Sequence, residues 1–139
     1  MTHTTVNKWV RYAQNNLDVA LREMERKSNP RLRPYEIILY NCQQSAEKML
    51  KAYLVMNGLQ VPYIHDLPDL RDRCSQFDNS FNGQRIIDYC AFLTIFATVR
   101  YPDFTGSIDA SHAKRGINCA KRVYGFVASR LGKPDIYST

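Results

Sequence analysis

The sequence predicts an all-α protein, an antiparallel up-and-down bundle of about five helices. Apolar residues recur at three- and four-residue spacing along its long segments, which is the periodicity of one helix face. Prolines and glycines separate these segments, as short connections between bundle helices do. The 139 residues, 45% hydrophobic and 23% charged, have the length and composition of one folded domain. We therefore expect a single domain over residues 1–139, with its core at about residues 5–132.

The first two predicted helices are long. The first runs from about Thr5 to Lys27 and ends at SNPRLRP; its apolar stripe consists of Val6, Trp9, Ala13, Leu17, Ala20, Leu21 and Met24. The second starts near Pro34, which a first turn tolerates, and ends at Asn57-Gly58, where glycine provides a left-handed C-cap. A helical wheel gives it one broad face of apolar and small residues, and on the opposite side Gln44, Glu47, Lys48 and Lys51.

A short third helix is predicted to begin in the stretch HDLPDL. Asp66 suits the N-cap, Pro68 suits the first turn, and Asp69 lies near the positive end of the helix dipole. His65 is then the residue before the cap. The alternative interpretation of the His65-Asp66 pair is a catalytic or metal-binding site.

The fourth segment, IIDYCAFLTIFATV, is apolar nearly all round. Its β-branched and aromatic residues also permit a strand, but its length favours a helix from Ile86 to Val99. A helix without a polar face must be central or must face a partner chain. We expect it to be central, with the second helix beside it, and to end before Pro102.

The fifth helix is predicted from about Ser107 to Leu131, closing at Gly132. Its buried stripe consists of Ala113, Ile117, Ala120, Tyr124, Val127 and Leu131. The opposite face carries Lys114, Arg115, Asn118, Lys121 and Arg122, and no acidic residue occurs between Asp109 and Asp135. With a net charge of +6, this face is a candidate for binding phosphates or an acidic partner, and the alternative is an ordinary solvated face.

The sequence gives no reason to expect a metal, a cofactor or a membrane span. The four cysteines are widely spaced, which indicates free thiols, and the three histidines form no ligand cluster with them. No apolar run approaches the roughly 18 residues of a membrane helix, and the N-terminal segment lacks the apolar region of a signal peptide. We therefore expect a cytoplasmic protein.

The combination of NCQQSAEKMLKAYLVMNG, HDL, RYPD and an amphipathic last helix resembles the HEPN domain family, over roughly Lys8 to Leu131. The stretch AQNNLDVAL after Trp9 also resembles the first helix of that family. The resemblance implies an antiparallel helical bundle that pairs as a homodimer, which the apolar surplus on the second and fourth helices also suggests. Family members include ribonuclease toxins encoded beside a small nucleotidyltransferase antitoxin, non-catalytic partners and suspected nucleotide-binding modules.

The ribonuclease members use an Arg and a His separated by four to six residues. Arginine stabilises charge on the phosphoryl oxygens, and histidine moves the proton of the 2′-hydroxyl. Here Arg100 is the natural candidate, but Phe104, Thr105 and Gly106 follow at those spacings. The nearest downstream histidine is His112, across a predicted loop, so an Arg100–His112 pair would have to form in three dimensions.

We therefore expect a non-catalytic module rather than an enzyme. In one form it is the dimeric partner of a minimal nucleotidyltransferase in a toxin–antitoxin-like system, and in another it binds a nucleotide. One alternative is a metal-independent ribonuclease that uses Arg100 with His112, and another is nonspecific nucleic-acid binding by the last helix. The candidate residues for binding nucleotide, RNA or another anion are Arg100, Lys114, Arg115, Asn118, Lys121 and Arg122.

Overall fold

The protein is all-α, as predicted. The computed structural model describes residues 2–26, 34–61, 63–99 and 101–138, and within these ranges it contains no strand. The helices are α1 (Thr2–Glu25), α2 (Tyr35–Met56), α3 (Leu67–Ser75), α4 (Gln84–Thr94) and α5 (Ala110–Arg130), with a short 3-10 helix at Asn79–Asn82. No described helix has both the length and the hydropathy of a membrane span.

The central helix is α2, not the fourth segment as we expected. It contacts all four other helices, and most of its 22 residues are buried. Small side chains at Ser45, Ala46 and Ala52, all completely buried, let its neighbours approach on several sides. Most of the apolar surplus on α2 is therefore covered within the chain, and Ile37 and Met56 near its two ends are exposed.

The fourth helix is shorter than predicted. It ends at Thr94, and the chain continues in turns over residues 95–99, in which the N–H of Phe96 donates to the carbonyl of Leu93 three residues back. Thr94, Ile95, Thr98 and Val99 are β-branched, which lowers the helix propensity of this end. Ile95 is 57% exposed, so this apolar segment is not buried on every side.

The long outer helices, α1 and α5, bury most of the stripes that their periodicity predicted, and the partly buried members are Trp9, Leu21, Met24 and Leu131. Both pack mainly on α2 and less on each other. Val6, Ala13, Leu17 and Ala20 of α1 are buried, as are Ala113, Ile117, Ala120, Tyr124 and Val127 of α5. Of the predicted boundaries of the first helix, Lys27 lies outside the described residues. In α5 the basic face is consequently turned away from the core.

Glycine ends two of the helices, as predicted. Gly58 has φ +85° and Gly132 has φ +72°, the left-handed region in which a side chain would be strained. After α2, the N–H of Leu59 donates to the carbonyl of Leu54 at 3.1 Å, which closes a Schellman motif. In the corresponding bond after α5, the N–H of Lys133 donates to the carbonyl of Ala128 at 2.9 Å. Each motif turns the chain back toward the bundle.

The start of α3 differs from the prediction in one respect. Asp66 is the N-cap residue, but its side chain makes no capping hydrogen bond. The N–H of Leu67 instead donates to the hydroxyl of Thr94 at 3.3 Å. The end of α4 therefore supplies the cap that we assigned to Asp66, because α3 and α4 pack together.

The C-terminal tail, residues 132–138, folds back across α1 and α5. The ring of Tyr137 packs edge-on against Tyr124 of α5, with ring centres 4.8 Å apart. Its hydroxyl donates to the Asp18 carboxylate of α1 at 2.8 Å, and Lys133 bonds to Asn7 on the same helix. Burial and the acceptor Asp18 both raise the pKa of Tyr137, so the hydroxyl stays protonated and keeps donating. The tail thus links two helices that otherwise touch little.

Candidate functional site

His112 lies in the first turn of α5, where it takes part in a capping box. The Asp109 carboxylate accepts from the N–H of His112 at 3.1 Å. Nδ1 of His112 lies 3.3 Å from the N–H of Asp109, from which it accepts when neutral, and 2.9 Å from the Asp109 carboxylate, to which it donates when protonated. In either protonation state this nitrogen serves the start of the helix.

Hydrogen bonding also fixes the charge of the cap. The hydroxyl of Ser111 and the N–H of His112 both donate to the Asp109 carboxylate and lower its pKa to about 2. Asp109 is therefore ionised at neutral pH. Arg100 lies outside the described residues, so the Arg100–His112 pair remains a prediction. The structure places His112 with its polar contacts at the helix start and its ring edge-on to Phe96, with ring centres 6.4 Å apart.

The predicted basic residues do share one exposed face of α5. We call Lys114, Arg115, Asn118, Lys121 and Arg122 the basic strip; Lys121 is half-buried and the others are exposed. None of its cations forms an ion pair within 4 Å with a carboxylate of the described ranges. The Arg115 guanidinium stacks on the ring of Phe92 in α4, 4.2 Å from its centre. The strip therefore presents unpaired positive charge, part of it held in position.

A pocket of about 160 Å³ lies where the C-terminal tail meets this strip. Its lining combines one end of the strip with the tail, namely Asn118, Lys121, Arg122, Asp135, Tyr137 and Ser138. Asp135 is the first acidic residue after the long acid-free stretch of α5, and the fold returns it to the basic face. No periodic signal in the sequence indicates this, since the tail lies beyond the predicted helix.

A second polar cluster lies inside the bundle, on the side of α2 that the wheel placed opposite its apolar face. Gln43, Glu47 and Lys51 are spaced by four residues, and each is at most 5% exposed. The Lys51 ammonium donates to Oε2 of Glu47 at 3.1 Å, and the Gln43 amide donates to Oε1 at 3.1 Å. Trp9 of α1 lies over Lys51, with the ammonium 5.9 Å from the ring centre. We call these three residues the α2 polar network.

His65 joins this network from the loop before α3. Its Nδ1 lies 3.1 Å from both carboxylate oxygens of Glu47, and its carbonyl accepts from the Gln43 amide at 3.2 Å. The side chain is 62% exposed. A carboxylate-bound imidazole is chemically able to transfer a proton, and the same carboxylate also accepts from Lys51 and Gln43. The network fastens the loop to α2, a role that we missed when we interpreted His65 only as the residue before the cap.

The four cysteines are packing residues of the core. Cys42, Cys74, Cys90 and Cys119 are free and buried, as expected. Burial raises the pKa of Cys90 to about 12 and raises that of the other thiols as well, so they remain protonated at neutral pH. Among the described residues, no group of three His, Cys, Asp or Glu side chains could hold a metal ion.

Comparison with known proteins agrees with this architecture. Residues 6–131 match a family model described as HEPN domain. Among solved structures, the chain is similar to the crystal structure of TT1696 from Thermus thermophilus, with 22% sequence identity and a TM-score of 0.73. That similarity covers 91% of this chain and 98% of the other, and it shows a shared fold. A comparison with curated proteins gives no match.

The α2 polar network makes a prediction for stability. Lys51→Met should lower the free energy of unfolding by about 3–5 kcal/mol, because it leaves the Glu47 carboxylate buried without its cation. Arg73→Met is the matched control, since the Arg73–Asp69 pair has the same spacing but is about half exposed and should contribute at most about 1 kcal/mol. Urea unfolding of both variants measures the difference. Equal, small losses would mean that the buried pair contributes no more than a surface one.

Proposed function

The chain belongs to the HEPN domain family, and we propose that it is a non-catalytic helical-bundle module that binds the phosphates of a nucleotide or RNA through its basic strip. One observation supports this most: the strip is exposed and its cations are unpaired by carboxylates of the described residues. An exposed face of one sign attracts phosphates, whereas mixed charge is usual on a solvated helix.

The arrangement of the strip suits a phosphate backbone. Lys114 and Lys121 are seven residues apart, as are Arg115 and Arg122, so each pair projects on nearly the same side after about two turns. Arginine forms bidentate contacts with phosphate, and Phe92 holds one of the two guanidinium groups against the surface. Contacts of this kind position a nucleic acid without reading its sequence.

Phosphate binding should therefore depend on salt and on the strip. We expect the affinity for single-stranded RNA to fall steeply between low and physiological salt. In Lys121→Glu, Arg122→Glu it should be weaker, with the slope of log affinity against log salt reduced by about 1.4, because two phosphate contacts are lost. Ile117 and Tyr124 belong to the buried stripe on the opposite side of α5, which the two substitutions do not touch. The variant should therefore keep its helical circular dichroism.

The matched control reverses two exposed charges elsewhere, with Arg73→Glu, Arg85→Glu on α3 and α4. Fluorescence anisotropy over a salt series measures all three proteins. If the two double variants lose affinity equally, binding follows net charge and the strip is only a solvated face.

The ribonuclease alternative predicts that the native chain cleaves RNA, whereas our proposal predicts that it does not. The spacing after Arg100 and the engagement of His112 in the capping box both support a non-catalytic role. We expect the purified protein to leave labelled RNA intact in the presence of a chelator. Cleavage that persists in the native chain but disappears in His112→Gln would replace our proposal, because glutamine can keep the capping box but cannot move a proton as imidazole does.

Homodimer formation and pairing with a minimal nucleotidyltransferase are proposals that rest mainly on the family. Ile95 and Tyr101, about half exposed in the connection between α4 and α5, offer apolar surface for a second copy. We expect sedimentation equilibrium to give a dimer mass, and Ile95→Glu to reduce it to the monomer mass. A monomer of the native chain would contradict dimerisation. Co-purification with a nucleotidyltransferase encoded beside the gene would test the second pairing.

A further inference from the structure

An acidic side chain shares the pocket at the end of the basic strip. The carboxylate of Asp135 lines it together with Lys121 and Arg122. Yet Asp135 forms no ion pair within 4 Å with any cation in the described part of the chain. A carboxylate beside two cations lowers the affinity of the pocket for a bare phosphate, and it offers a hydrogen-bond acceptor to a ligand that also carries a donor.

The fold holds this carboxylate in place. It lies directly against Gly125 of α5, where any side chain would collide with it. The N–H of Tyr137 donates to Oδ1 of Asp135 at 3.2 Å, and Tyr137 is itself anchored on Tyr124 and Asp18. A carboxylate has about four acceptor positions, and the N–H of Tyr137 uses one of them.

Resting on the phosphate binding proposed above, we propose that Asp135 is a specificity residue that accepts a hydrogen bond from a ribose hydroxyl, so that the strip prefers RNA to DNA. A nucleic-acid strand places a sugar next to each phosphate, and the 2′-hydroxyl is the donor that RNA has and DNA lacks. With a phosphate on Lys121 and Arg122, the adjoining sugar comes to the Asp135 side of the same pocket. The carboxylate then accepts a hydrogen bond from a strand that carries the 2′-hydroxyl and repels a strand that lacks it.

The test compares oligouridine with oligodeoxyuridine of equal length, which lacks the 2′-hydroxyl, and with 2′-O-methyl oligouridine, which keeps the 2′ oxygen but carries a methyl group in place of the donor hydrogen. We expect the native chain to bind oligouridine about tenfold more tightly than either of the others, the size of one hydrogen bond to a charged group. In Asp135→Ala the three affinities should become nearly equal. Asp72→Ala, which removes an exposed acid on α3, is the control and should keep the native ratio.

The outcomes separate this inference from the function it rests on. Equal binding of the three oligonucleotides by the native chain, together with weaker binding by Lys121→Glu, Arg122→Glu, would overturn the role of Asp135 and leave phosphate binding intact. A parallel rise of all three affinities in Asp135→Ala would have the same meaning, because the carboxylate would then only repel phosphate. If the strip variant binds as the native chain does, the phosphate site itself is wrong.

Discussion

The buried carboxylate of Glu47 is the interaction on which the rest of the bundle depends. A carboxylate inside a protein is strongly unfavourable unless charge and hydrogen bonds compensate it, and here Lys51, Gln43 and His65 do so. These partners come from α2 and from the loop before α3, and Trp9 of α1 covers the lysine. The carboxylate therefore fixes the helix at the centre relative to two of its neighbours, and α5 packs on another side of the same helix.

Periodicity predicted the long helices well but could not show which helix lies at the centre of the bundle. The stripes of α1 and α5 and the glycines after α2 and α5 follow from local rules, and the structure confirms them. Which apolar helix is central depends on packing, and the small residues of α2 decide it. The Glu47–Lys51 spacing was ambiguous for the same reason, since oppositely charged residues four apart are also typical of an exposed helix face. Local propensity alone explains the early end of α4, where β-branched residues accumulate.

The candidate site also has one part that local sequence rules predict and one part that depends on tertiary contacts. The basic strip could be found in the sequence because five residues of one helix share a face whatever else the chain does. The tail could not, because its position depends on tertiary contacts. Gly125 leaves room for a carboxylate, and Tyr137 reaches both α5 and α1. These contacts bring Asp135 to the basic strip. The charge pattern of the sequence alone would place Asp135 apart from that strip. The described contacts give α2 and the loop before α3 a structural role, and binding on α5 is our proposal.

A double-mutant cycle on Glu47 and Lys51 tests this account most directly. The free energies of unfolding of the native chain, Glu47→Gln, Lys51→Met and the double variant give the coupling between the two side chains. We predict a coupling of about 2–3 kcal/mol, with the double variant at least as stable as Lys51→Met, because removing both charges leaves no buried ion unpaired. Losses that add to within about 0.5 kcal/mol would show that the pair is not coupled and would contradict this account.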